Sequence, residues 1–235
     1  MKESEHSDRS AILDECRSAT LERSNFDVSS HDEGDTPGRD SHSSDTSGTF
    51  KVLSKLEKWG DYENYGAPVG PTRFIPMKTP LTHEILQGRQ FGSNFTVREF
   101  LDNQQALERK VGMIIDLSNH DCLYSQDIPT EIRYTHIRCV AKVLPDMLSV
   151  KQVFQAALQF WEENPEEYIG IHCSYGFNRT GFLVCSFLVE NCGLSVQSAL
   201  QSFGDSRPPG VKHDRFKEEL QRRYGTLTEE ITKDQ

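Results

Sequence analysis

Tyr168-Ile169-Gly170-Ile171-His172-Cys173-Ser174-Tyr175-Gly176-Phe177-Asn178-Arg179-Thr180-Gly181 leads from one apolar stretch into a longer one, Phe182 to Val189. Residues 168–171 read as a short buried strand and 182–189 as a buried helix, so His172 to Gly181 predict a strand-to-helix turn. Such a turn wraps successive backbone N–H groups around one point, and the helix dipole adds partial positive charge there. Arg179 completes this anion cradle with a planar, permanently charged fork. Ser174, Tyr175, Gly176, Phe177 and Asn178 supply the rest of the phosphate-binding loop.

A cysteine at the mouth of that loop feels the amides, the dipole and Arg179, all of which favour thiolate over thiol. Cys173 is therefore the expected nucleophile, attacking phosphorus to form a phosphocysteine that water later splits. Thr180 is placed to donate its hydroxyl to the departing sulfur, and His172 to brace the loop through its backbone. The competing reading, an ordinary buried thiol, leaves the joint placement of Gly176, Arg179, Thr180 and Gly181 unexplained.

The rest of the chain divides unevenly. Residues 1–50 hold 12 of the 36 acidic and 5 of the 26 basic residues, a net of −7 against −10 for the whole, together with 11 serines. So little apolar surface cannot offset the entropy of ordering, and a disordered acidic, Ser-rich tail is expected there. A cysteine-nucleophile domain is expected over 51–227, with a short C-terminal tail over 228–235. The sequence has no apolar run of membrane-spanning length and no signal-peptide start, which predicts an intracellular protein without a membrane partner. Six cysteines without C-x-x-C spacing and eight scattered histidines indicate no disulfide framework, metal site or cofactor.

Strands are expected at Met113 to Leu117, Thr135 to Cys139 and Tyr168 to His172. Thr96-Val97-Arg98-Glu99 reads as a capping box opening a helix to about Lys110, and Ser149-Val150-Lys151-Gln152 as the start of another. Val150, Val153, Phe154, Ala157 and Trp161 share one face of that second helix, which should stop at Asn164-Pro165. Further helices are expected from about Val196 to Phe203, capped by Ser195, and from about His213 to Tyr224. This alternation predicts an α/β fold with a mainly parallel central sheet flanked by helices, the cysteine loop lying at a strand's carboxyl end.

His172-Cys173-x5-Arg179-Thr180 resembles the signature of the cysteine phosphatase superfamily, which implies a protein tyrosine phosphatase-like fold. The finer resemblance is to the RNA 5′-triphosphatase domain of mRNA capping enzymes. It rests on Gly176 to Phe182, on Arg73-Phe74-Ile75-Pro76-Met77-Lys78-Thr79-Pro80-Leu81, on Ser206-Arg207-Pro208-Pro209-Gly210 and on Leu220 to Gly225, and covers about residues 60 to 225. It implies metal-independent removal of the γ-phosphate from triphosphate-ended RNA in the nucleus, as the first step of capping. The implied partners are that RNA, a guanylyltransferase and the transcription machinery. Arg73, Lys78, Arg207, Lys212 and Arg215 are candidates for a basic RNA-binding rim, or for plain solvated charge.

Asp146, in Leu144-Pro145-Asp146, resembles the general acid of dual-specificity phosphatases, and its plain alternative is turn formation after proline. Asp116 matches an aspartate of the capping family, with structural support as its implied role. Capping enzymes of this type continue into a domain with a K-x-D-G nucleophile, and Lys212-His213-Asp214-Arg215 is not that motif. The resemblance thus leaves open a first-step enzyme, a shortened product of a longer gene, and a phosphatase for other triphosphate RNAs. The runner-up function is a dual-specificity or tyrosine protein phosphatase, and a third is a non-catalytic phosphate-binding module.

Overall fold

The computed structural model describes residues 56–88 and 94–225. The expected tails at 1–50 and 228–235 lie outside the described residues. In chain order the elements are α1 (Leu56–Gly60), β1 (Phe74–Met77), α2 (His83–Leu86), α3 (Val97–Ala106), β2 (Val111–Asp116), β3 (Arg133–His136), α4 (Met147–Glu163), β4 (Tyr168–His172), α5 (Asn178–Cys192), α6 (Val196–Ser206) and α7 (Asp214–Tyr224). A short 3-10 turn at Ser125–Asp127 precedes β3.

The strands form one sheet in the order β1-β4-β2-β3, with every pairing parallel. Alternate strand residues serve two cores, as the strand period of two requires. Phe74, Met113, Ile115, Ile169 and Ile171 pack with α4 to α7, while Ile75, Met77 and Ile114 pack with Trp59, Phe95 and Phe100 on the other face. β4 is central and ends in the cysteine loop, so the loop is fixed by pairing on both sides of its strand.

Five expectations about the elements are corrected. β1 has no counterpart among the expected strands because Pro76 interrupts its signal, and the strand tolerates a proline because it lies at the sheet edge. The strand expected at Thr135 to Cys139 is displaced to Arg133–His136 by its register on β2, Met113 opposite Arg133 through Asp116 opposite His136. The next residues leave the sheet, and the Cys139 carbonyl turns to Arg179.

The capping box at Thr96 and Glu99 forms as expected, but α3 ends at Ala106 rather than near Lys110. Glu108 takes a positive φ of 58°, and Arg109 N–H donates back to Gln104 O, which turns the chain into β2. Helix α4 begins at Met147, not after Ser149: the Asp146 carboxylate accepts from Ser149 N–H at 2.7 Å and is itself the N-cap. Its expected apolar stripe is buried, and α4 stops at Glu163 before Asn164-Pro165. Helix α6, capped by Ser195 as expected, runs three residues beyond Phe203 to Ser206.

Candidate active site

The turn from β4 into α5 is built on Gly176, whose φ is +74°. A Cβ there would lie 2.2 Å from the Met77 carbonyl oxygen, so both the left-handed backbone and the contact with β1 exclude a side chain. Gly176→Ala is expected to lower stability by at least about 2 kcal/mol, read in denaturant unfolding, because strain and overpacking act together. Helix α5 starts at Asn178 with no side-chain cap on Phe177, leaving its first amides for whatever occupies the loop.

Cys173 is 4% exposed at the start of this loop. Burial opposes its ionisation, but Arg179, the Thr180 hydroxyl and the N–H groups of Thr180 and Tyr175 outweigh that, bringing its pKa down to about 7. The Thr180 hydroxyl is buried, and its influence on the Cys173 sulfur favours the thiolate.

Arg179 is buried and held from behind. One amino group donates to Leu117 O at 3.0 Å and Cys139 O at 2.6 Å, and the other to Ser174 Oγ at 3.0 Å. The carboxyl ends of β2 and β3 therefore aim the guanidinium at the loop.

His172 braces the loop through a buried polar network. Its Nδ1 lies 3.1 Å from Cys173 O, an obligate acceptor, which assigns the proton to Nδ1. Nε2 then accepts from Tyr124 O–H at 2.5 Å. Thr79 O–H also donates to Cys173 O, at 2.8 Å. Burial pushes the His172 pKa down, keeping the ring neutral.

Asp116 Oδ1 lies 3.7 Å from His172 Nδ1. Burial works against the Asp116 charge, yet its pKa lies below the usual value, with hydrogen bonds from Ser118 N–H and Tyr134 O–H favouring the carboxylate. Tyr124, Tyr134 and Ser118 were given no role by the sequence reading. No local motif marks them, since each reaches the site from a separate loop or strand.

The fold brings Cys173, Arg179, Thr180, His172 and the Ser174 to Asn178 segment into one site. Asn178 differs from expectation: its side-chain oxygen accepts from the Lys212 and His213 amides, both at 2.9 Å, leaving only its backbone to the loop. Phe177 is buried, its ring 5.0 Å from that of Tyr62.

The basic rim is corrected more strongly. Lys78 is buried and donates to Trp59 O and Tyr62 O, with its pKa lowered to about 8, chiefly by burial. Arg207 is 1% exposed and donates to Glu63 O and Tyr175 O, tying the 206–210 segment to the loop from below. Arg73 precedes β1 at the opposite pole and pairs with Glu166. Lys212 and Arg215 are exposed.

Asp146 is exposed, and its cap bonds from Ser149 hold its carboxyl below the ordinary range. Among the described residues no cluster of three His, Cys, Asp or Glu side chains could hold a metal, and no helix is long and apolar enough to cross a membrane.

A parallel sheet carrying a buried low-pKa cysteine and an arginine in one strand-to-helix loop defines the protein tyrosine phosphatase-like fold. The chain shares that fold with the solved structure of PTPMT1 in complex with PI(5)P, at a TM-score of 0.52 and 13% identity over 72% of this chain and 99% of that one. It is also 34% identical over 175 residues to the mRNA-capping enzyme of Mus musculus, and 30% identical over 171 residues to the RNA/RNP complex-1-interacting phosphatase of the same species.

Those matches take in 73% and 72% of this chain but only 29% and 53% of the relatives. A homologue from Caenorhabditis elegans named for the same interaction matches at 28% identity, over 70% of this chain and 73% of its own length. No family model matches the chain. The chain therefore has the protein tyrosine phosphatase-like fold and is similar in sequence to mRNA-capping enzymes and RNA/RNP complex-1-interacting phosphatases, of whose lengths it spans only part.

Proposed function

We propose that this protein is an RNA 5′-triphosphatase that acts through a phosphocysteine. The Cys173 thiolate attacks the γ-phosphorus, the bond to the β-phosphate oxygen breaks, and the RNA departs with a diphosphate end. Arg179 and the loop amides bind the three equatorial oxygens as charge redistributes. Water then attacks the same phosphorus, the S–P bond breaks with Thr180 donating to the sulfur, and orthophosphate leaves. Expected partners are a guanylyltransferase and the transcription machinery, in the nucleus.

The observation that carries this reading is convergence. Three of the four separated segments that resemble capping enzymes meet at one loop: Thr79 donates to Cys173 O, and Arg207 donates to Tyr175 O. The homologues named for mRNA capping and for an RNA/RNP complex support it. Incubation with γ-labelled and β-labelled triphosphate RNA in EDTA tests it. Release of γ-label with retention of β-label is expected, and no γ release would overturn the reading. Phosphopeptide turnover far above RNA turnover would instead favour a dual-specificity phosphatase.

Leaving-group chemistry bears on Asp146. A phenol leaves with a pKa of about 10 and needs an acid, whereas a diphosphate, at about 6 to 7, needs one much less. Asp146→Asn keeps a good helix cap while removing any proton donor. It is expected to change γ-phosphate release less than about threefold, whereas Asp146→Ala should cost about 1 kcal/mol of stability. A hundredfold loss of rate in Asp146→Asn would make Asp146 the general acid.

A further inference from the structure

Lys212 is set apart from the other cations near the loop by its position. Lys78 and Arg207 are buried and give their hydrogen bonds to backbone carbonyls, whereas Lys212 is exposed and held at the surface by aromatic groups. Its ammonium lies 4.2 Å from the ring centroid of Tyr62 and 4.8 Å from that of Phe177, and donates to Tyr62 O–H oxygen at 2.9 Å. Tyr62 in turn stands against Tyr175, with ring centroids 5.3 Å apart. Phe177 and Tyr175 belong to the cysteine loop itself. The backbone is fixed as firmly as the side chain, because Lys212 N–H and His213 N–H both donate to Asn178 Oδ1, one residue before Arg179.

A loop that holds one phosphate at Cys173 leaves the remaining phosphates of a polyphosphate ester outside it, and the exposed cation packs on Phe177 of that same loop. Cation–π contacts and one neutral hydroxyl position the ammonium without neutralising it, so it retains its full attraction for an anion. Two partly buried tyrosine rings beside it offer a surface for the adjoining nucleotide, since any base presents a stacking face.

We propose that Lys212, positioned by Asn178 and Tyr62, is the specificity residue of this site, binding the phosphates that are not transferred and so favouring polyphosphate over monophosphate substrates. This deepens the triphosphatase reading and rests on it for the natural substrate, but polyphosphate binding can be measured separately.

The test is inhibition of p-nitrophenyl phosphate hydrolysis by inorganic tripolyphosphate and by orthophosphate, in the full chain. Lys212→Gln is expected to raise the tripolyphosphate inhibition constant about tenfold, a loss suited to one charge-assisted contact, and to leave that of orthophosphate within about twofold. Lys212→Arg should restore tripolyphosphate inhibition, and its strength in the wild type should fall steeply with salt. Lys110→Gln, a change of equal charge beside Glu167 at the far end of the sheet, should alter neither constant.

Equal effects of Lys212→Gln on both inhibitors would mean general damage to the loop and would overturn the proposal, as would no effect on either. A wild type that shows Lys212-dependent tripolyphosphate inhibition but releases no γ-phosphate from RNA would sink the RNA reading while upholding the subsite. Normal RNA turnover with Lys212→Gln unchanged on tripolyphosphate would do the reverse.

Discussion

Cys173→Ser is expected to abolish γ-phosphate release, by at least about 1,000-fold, while the protein still folds and still binds triphosphate RNA. Serine preserves the shape of the side chain, so the loop amides, Arg179 and the His172 network stay in place. What is lost is a nucleophile that ionises near neutrality: a serine hydroxyl has no base within this loop to activate it, whereas Cys173 has its pKa brought to about 7.

The same property sets the pH dependence. The thiolate fraction of the wild type falls as pH drops through about 7, so kcat/KM should rise with pH along an acid limb centred there. Single-turnover assays across pH, with binding followed by anisotropy of labelled RNA, would check both points. Retention of a tenth or more of the wild-type rate in Cys173→Ser would remove the phosphocysteine from the mechanism.

The second large effect is expected at Arg179, and it should appear in stability as well as rate. Arg179→Ala removes the group proposed to bind the transferred phosphoryl oxygens and should lower kcat/KM by at least about 100-fold. It also strips Leu117 O and Cys139 O of a buried donor, and each unsatisfied group costs about 1 to 3 kcal/mol unless water enters.

Arg179→Lys separates these roles. A lysine restores one positive charge and a donor for the carbonyls, but not the planar fork that meets phosphate and Ser174 together. Stability should largely recover while the rate stays low. In Arg179→Ala, loss of the cation that most favours the thiolate should move the acid limb of the rate profile upward, toward the ordinary cysteine range. A wild-type rate in Arg179→Lys would show that charge alone suffices and that the fork is dispensable.

The cysteine loop was legible in sequence because its chemistry is local. Ten consecutive residues carry the cysteine, the cation, the hydroxyl and the glycine turn, and their order along β4 and α5 dictates their proximity. Helix α4 was legible for a similar reason, since one stripe of apolar residues has to be buried on one side. Its start was misplaced, because Ser149 satisfies the same local pattern as Asp146, and only the chain direction after Pro145 decides which caps the helix. β1 escaped notice because Pro76 weakens the strand pattern, and its edge position is a property of the sheet.

The basic residues show most clearly where sequence runs out. Arg73, Lys78, Arg207 and Lys212 are alike as letters, and nothing in their spacing tells a buried brace from a surface cation. Tertiary structure separated them: Lys78 and Arg207 find backbone carbonyls beneath the loop, Arg73 finds Glu166 at the other pole, and Lys212 stands exposed at the rim. Likewise Tyr124 and Thr79 enter the His172 network from segments 48 and 93 residues away. The sequence by itself determined that Cys173, Arg179 and Thr180 share one strand-to-helix loop, and which fold class carries it, since these follow from short-range order and periodicity. The depth at which each cation sits, and so which of them is free to meet an anion, was decided only when distant segments packed, because desolvation and hydrogen-bond partners are properties of three-dimensional neighbours.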